Sequence, residues 1–257
     1  MSGAAPVKAP AGRFSRPRRV SDLTLARFNC ILYGAPGAGK TTCAATAPGP
    51  VLFLDCDQGL LALQNPDPEL VKTLGIDLEK LYFEPITSFD DLVAVITRVA
   101  SECKQQPGWW GTIVLDNLTE LQRVLLNDLL RQQERTLPQL QDWGIILLRM
   151  QAIVRSLRNL PVNTIFIAHE RETDQGIGPA LSGRIAEELP GYVDLMARYT
   201  ILEKPDPNNK DVVKVIRKLR CRASLGARPV TAKCRSSRLA DWEEPNITRL
   251  IEKTRTT

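Results

Sequence analysis

The sequence has one histidine, only 5% aromatic residues, and no C-x-x-C pair among its six cysteines. Those cysteines are Cys30, Cys43, Cys56, Cys103, Cys221 and Cys234. Without paired spacing or a supply of imidazoles they do not support a structural zinc site, and they read as scattered free thiols of a reducing compartment. No apolar run approaches the ~20 residues needed to span a bilayer. The N-terminus is basic and proline-rich and lacks the apolar core of a secretory signal. These absences point to a cytoplasmic protein with no membrane partner.

What is present fits a soluble globular protein: 257 residues, 43% hydrophobic and 25% charged. That length carries one large α/β domain or two small ones. The net charge of +5 is unevenly placed. Residues 1–28 hold Lys8, Arg13, Arg16, Arg18, Arg19 and Arg27 against Asp22 alone, which is six minus one and accounts for all of it. A second basic zone, 210–238, sets ten cations against Asp211. Such zones attract polyanions, although a charge run is also a common way to solvate a face. Residues 1–22 have almost nothing to bury and read as a disordered basic tail. The remainder, 23–257, reads as a single domain.

Short apolar runs alternate with helical patterns, the mark of a parallel sheet with crossover helices. Strands are expected at Asn29–Tyr33, Val51–Leu54, Thr112–Leu115 and Asn163–Ala168. The helix after the first strand is short, because Pro48 and Pro50 stop it. Further helices are expected over about Asp90–Lys104, Leu118–Arg135 and Asp142–Leu160, and the glycine-containing stretch Glu170–Pro190 reads as a mobile loop. Near the end, Tyr199–Glu203, Val212–Cys221 and Val230–Cys234 predict an antiparallel extension. In its middle strand Lys214, Lys218, Arg220 and Arg222 share one face, and Val213, Val215, Leu219 and Cys221 the other, broken by Arg217.

The chemistry centres on Gly34-Ala35-Pro36-Gly37-Ala38-Gly39-Lys40-Thr41, which satisfies G-x-x-x-x-G-K-[ST] at every fixed position. Glycines let the backbone curl so that its N–H groups face phosphate oxygens, and the following helix adds the positive end of its dipole. Lys40 then reaches the β- and γ-phosphates of ATP, the Thr41 hydroxyl ligates Mg²⁺, and Thr42 continues the binding segment. Thr112-Ile113-Val114-Leu115-Asp116 places a second Mg²⁺ carboxylate at the end of a buried strand, some 75 residues later. Asn117 is expected to cap the next helix with Glu120 as its capping-box partner. Asp116 is not followed by an acid, so the hydrolytic base must lie elsewhere. Asp57, after the second strand, is the candidate, and its alternative is a turn cap with Gln58 and Gly59. His169 lies where it can touch the γ-phosphate, or it is a satisfied half-buried histidine. Lys233 and Arg235 read as cations that stabilise transition-state charge in a neighbouring subunit, or as plain surface charge.

Together these segments resemble the RecA-like ATPase superfamily. More closely they resemble the phage nucleotide-binding proteins that include the Sak-type minimal RecA-like annealing ATPases. The resemblance spans about residues 28–240. It is carried by the P-loop, Phe53-Leu54-Asp55-Cys56-Asp57, Val114-Leu115-Asp116-Asn117-Leu118-Thr119-Glu120-Leu121, Gln141-Asp142-Trp143-Gly144, Thr164-Ile165-Phe166-Ile167-Ala168-His169 and Lys233-x-Arg235. It implies a mostly parallel sheet flanked by helices, with Asp57 as catalytic acid where many relatives carry Glu, His169 as γ-phosphate sensor, and Lys233 and Arg235 as fingers acting in trans. It further implies slow, DNA-stimulated ATP hydrolysis by a homo-oligomeric ring or filament on single-stranded DNA, in recombination or annealing, assisted by a single-strand-binding protein in a host cytoplasm. The rival readings are a nucleotide-gated loader of replication and a P-loop small-molecule kinase. The kinase is disfavoured because no arginine-rich lid segment lies between the P-loop and Asp116.

Overall fold

The computed structural model describes residues 27–206, 209–226 and 228–255, and the side chains of 206–212 are outside that description. The expected basic tail, 1–22, lies outside the described residues. The described residues open with strand β1 (Asn29–Gly34), the P-loop and a short helix α1 (Lys40–Ala44). Next come β2 (Val51–Asp55), α2 (Leu61–Gln64), α3 (Pro68–Leu74) and β3 (Leu81–Pro85). Then follow α4 (Phe89–Gln105), β4 (Thr112–Asp116), α5 (Leu118–Gln132) and α6 (Leu140–Asn159). The chain continues with β5 (Asn163–Thr173), β6 (Gly176–Pro179), α7 (Ile185–Tyr192), β7 (Leu195–Asp206) and β8 (Asn209–Arg220). It closes with β9 (Lys233–Cys234), β10 (Trp242–Glu243) and α8 (Ile247–Arg255).

The sheet runs β10-β8-β7-β1-β5-β4-β2-β3, with β6 added to β5 and β9 to β7. From β7 to β3 every pairing is parallel. Successive residues point to opposite faces, and both faces are covered. Ile31, Tyr33, Leu52, Leu54, Ile113 and Leu115 pack toward α4, α5 and α6. Cys30, Leu32, Val51, Phe53, Val114 and Ile165 pack against α1 and α8. Double coverage is why these strands read as unbroken apolar runs rather than alternating ones. This is the α/β class expected, a mostly parallel sheet flanked by helices with an antiparallel C-terminal extension. Among the described residues no helix is long and apolar enough to cross a membrane.

Four expectations change. Glu170–Pro190 is not a loop: β5 runs on to Thr173 and turns into β6, and α7 follows. Gly176 sits in that hairpin at φ 117°, where a Cβ would lie 2.2 Å from the Pro229 carbonyl oxygen, so this glycine fits a close approach rather than conferring mobility. Strand β7 starts at Leu195, four residues before the expected start. Its buried opening Leu195-Met196-Ala197 is masked in the sequence by Arg198, which pairs with Glu170 at 2.8 Å. Strand β3 was missed because it is a partly exposed edge, with Phe83 at 64% exposure.

The fourth correction concerns the basic face of β8. Lys218 pairs with Glu244, Arg220 lies 4.9 Å over the Trp242 ring, and Arg222 pairs with Asp241 at 3.3 Å. β10 and its flanks therefore supply partners to cations that the sequence left open. The opposite face is buried only at its lower end. Leu219 and Cys221 are in the core, while Val213 and Val215 are 55% and 51% exposed.

Candidate nucleotide site

The P-loop leaves β1 at Gly34, which lies beside Tyr199 of β7 in the parallel register. A Cβ on Gly34 would meet the Tyr199 carbonyl oxygen at 2.6 Å, so no larger residue fits between the two backbones. Gly39 takes φ 107°, a left-handed conformation that L side chains rarely adopt, and it is from here that the chain enters α1. The Tyr199 hydroxyl lies under it, 3.1 Å from where a Cβ would stand. These two glycines let the loop backbone curl tightly between β1 and α1.

Lys40 is 6% exposed, and its ammonium donates to the carbonyls of Gly34 at 3.0 Å and Ala35 at 2.8 Å. Burial pushes its pKa below the ordinary lysine value, and the Asp116 charge works in the opposite direction. The Thr41 hydroxyl donates to Asp116 Oδ2 at 2.7 Å. Burial raises the Asp116 pKa to about 6 against the lowering effect of that hydrogen bond. Both oxygens are hard donors converging beside the phosphate loop. Among the described residues no cluster of three or more His, Cys, Asp or Glu side chains forms a complete metal cage. One hydroxyl and one carboxylate fit Mg²⁺, which keeps waters and takes its remaining ligands from substrate phosphates.

The ends of three neighbouring strands bring the other candidates together. Asp57, just past β2, accepts from the Gly59 N–H at 3.0 Å and from the Asn117 amide at its other oxygen. The turn cap and the cleft-facing carboxylate are thus the same side chain. His169, in β5, places Nε2 3.4 Å from Asn117 Nδ2, and its backbone N–H donates to the Thr119 hydroxyl at 3.0 Å. Burial, then the Lys40 charge, lowers the His169 pKa, which keeps the imidazole neutral at pH 7. Its Nδ1 is buried without a partner among the described residues. Asn117 caps α5 as expected, but Glu120 turns away to Arg123 at 2.9 Å and does not close a capping box.

Gly37, Lys40, Thr41, Thr42, Asp57, Asp116, Asn117 and His169 line one cleft of about 850 Å³. Its far wall was not foreseen: Leu70, Thr73 and Leu74 of α3, Val215–Arg217 of β8, and Glu244–Asn246 with Arg249. α8 is anchored there by the Ile247 N–H on the Thr46 hydroxyl at 2.8 Å and by Thr248 Oγ1 on the Thr46 carbonyl at 2.6 Å. No local motif marks these residues. α8 brings Arg249 to the cleft by docking on Thr46, and β8 brings Val215–Arg217 there by pairing with β7.

Lys233 and Arg235 lie away from this chain's own cleft, where a pair acting on a neighbouring subunit's site would also not be found. β9 pairs with Leu195 and Met196, at the start of β7, whereas Tyr199 stands beside Gly34. Four residues of strand separate the two levels by roughly 13 Å. Lys233 donates to the carbonyls of Pro190 and of Val193, the latter at 3.1 Å. Arg235 donates to the Gly191 carbonyl at 3.0 Å and pairs with Asp194 at 3.1 Å. Both cations therefore secure the C-terminal end of α7, where carbonyls lack intrahelical partners and positive charge is favourable.

Residues 26–222 match the AAA_24 family, described as an AAA domain. The chain belongs to this family. AAA domain membership, with the P-loop and the mostly parallel sheet described above, makes it a P-loop ATPase domain of the α/β class. Asp116 is followed by Asn117 rather than by a second acid. No curated protein matches the sequence. Among solved structures the chain is similar to the KaiC-like protein of the hyperthermophilic archaeon Pyrococcus horikoshii OT3. The identity is 17% and the TM-score 0.43, over 80% of this chain and 83% of that one.

Proposed function

We propose that this AAA domain protein is a Mg²⁺-dependent ATPase that uses hydrolysis to act on single-stranded DNA, in the manner of phage recombination or annealing ATPases. The observation that carries the ATPase reading is the 2.7 Å contact between Thr41 Oγ1 and Asp116 Oδ2 beside the P-loop. In this reading residues 34–42 hold the triphosphate, and Lys40 exchanges its two backbone carbonyls for phosphate oxygens. Thr41 and Asp116 hold the metal, which supplies charge neutralisation at the phosphates. Asp57 takes the proton of the attacking water, and His169 contacts the γ-phosphate.

The DNA part rests on charge and on the Sak-type resemblance. Lys218, Arg220 and Arg222 have protein partners, so the contacts fall chiefly to the basic N-terminal residues, which carry the net +5. A homo-oligomer, a ring or a filament, assisted by a single-strand-binding protein, belongs to the same reading. The test is ATP hydrolysis with and without single-stranded DNA, together with fluorescence anisotropy on a labelled oligonucleotide at several salt concentrations. DNA-stimulated turnover is expected, with affinity falling along a log–log salt slope of about −0.7 per phosphate neutralised. Loss of residues 1–20 should weaken binding without removing an ATP effect. Absence of binding at low salt, or binding indifferent to nucleotide, overturns the DNA part and favours a nucleotide-gated loader. Phosphate transfer to a nucleoside or nucleotide favours a kinase.

A further inference from the structure

Asn117 stands at the end of β4, 1% exposed, and every hydrogen-bonding group of its side chain has a task or a facing atom. Oδ1 accepts the Glu120 N–H at 2.9 Å and so caps α5. Nδ2 donates to Asp57 Oδ2 and lies 3.4 Å from His169 Nε2. One amide therefore joins the ends of β2 and β4 to His169, the last residue of β5 paired with β1, and each strand brings a candidate residue to the cleft.

A helix cap alone does not require this. Ser, Thr and Asp also cap helices, but Asp has no donor when ionised, and a Ser or Thr hydroxyl must accept and donate through one atom that sits a bond closer to the backbone than the amide nitrogen. The Asp57 oxygens are held from two sides, by Gly59 N–H at 3.0 Å and by Asn117. A carboxylate has about four lone-pair sites, so two donors fix its rotamer and leave it able to accept a proton from water. Asp57 extends from an exposed turn after β2, where without a second donor its χ angles would be free. The alignment of a general base sets its effectiveness.

We propose that Asn117 is a positioning residue, which holds the Asp57 carboxylate toward the cleft and ties its orientation to His169. The proposal rests on Asp57 being the base. The experiment compares wild type, Asn117→Ser, Asp57→Asn and the double variant, each checked by thermal melting, for ATP affinity and single-turnover hydrolysis. Serine keeps a capping oxygen and removes the amide. Asn117→Ser should bind ATP as wild type does and lose hydrolysis rate on the order of 10²-fold, the effect of a misplaced catalytic group. Adding it to Asp57→Asn should bring no further loss, because no carboxylate is left to orient. Should Asn117→Ser fail to fold, Asn117→Asp keeps the cap, sets a like charge against Asp57, and is expected to be slow as well. Wild-type or faster turnover in the Asn117 variant, losses that multiply in the double variant, or a loss that only follows weaker ATP binding would each overturn the proposal. Wild-type turnover in Asp57→Asn instead removes the base assignment, and the positioning role with it.

Discussion

Thr41 and Asp116 lie 75 positions apart in the chain, yet the hydroxyl of one donates to the carboxylate of the other at 2.7 Å. They meet because α1 begins at the end of β1, and β4 ends at the same edge of the sheet with β5 between the two strands. Asp116→Asn keeps the shape and removes the charge. It should leave nucleotide binding without Mg²⁺ nearly unchanged and abolish the strengthening that Mg²⁺ brings. Titration of a fluorescent ATP analogue with Mg²⁺ and with EDTA checks this, and equal Mg²⁺ dependence in variant and wild type would contradict it.

Lys40 rests on the Gly34 and Ala35 carbonyls, at 3.0 and 2.8 Å. Lys40→Ala removes the charge that the phosphates would take over, a charge-assisted contact whose loss weakens binding by ~10- to 100-fold. The fold should persist with a loss of about 1–3 kcal/mol for the two loop carbonyls left without Lys40. Unchanged ATP binding and turnover in a folded Lys40→Ala protein would refute the P-loop assignment.

Asp57→Asn should keep ATP affinity and slow hydrolysis by ~10²- to 10⁴-fold, the usual contribution of general-base assistance. Glu120→Gln serves as the comparison, because Glu120 points to Arg123 and lies outside the cleft. Slow turnover in Glu120→Gln beside normal turnover in Asp57→Asn would reverse the choice of base.

The positions of Lys233 and Arg235 separate a structural role from a catalytic one. A finger in phosphoryl transfer contributes roughly 10³- to 10⁵-fold to the rate. Lys233→Ala instead strands the Pro190 and Val193 carbonyls and should cost about 1–3 kcal/mol of stability. The expected result is a lower melting temperature with turnover per folded molecule close to wild type. A collapse of turnover at unchanged melting temperature would instead support fingers acting in trans.

The four central parallel strands β1, β2, β4 and β5, the P-loop and the cap at Asn117 could be read from the sequence because each depends on neighbours only a few positions away. A strand covered on both faces must be apolar throughout, a phosphate loop needs its glycines and lysine at fixed spacing, and a helix start needs a side-chain oxygen. Asp57, Asp116 and His169 could also be nominated, because a residue at the end of a parallel strand lands at the same sheet edge as the P-loop.

Only the tertiary structure decided which charges are spoken for and what encloses the cleft. Lys218 and Arg222 meet Glu244 and Asp241 through strand pairing that brings distant segments side by side. Lys233 and Arg235 end at the opposite level of the sheet because β9 pairs with the beginning of β7 rather than with its end. Arg249 and the Val215–Arg217 segment reach the cleft only because α8 docks on Thr46 and β8 extends the sheet beyond β7. A charge is recognisable in sequence, but its partner depends on long-range contacts, whose pattern is a property of the folded chain as a whole.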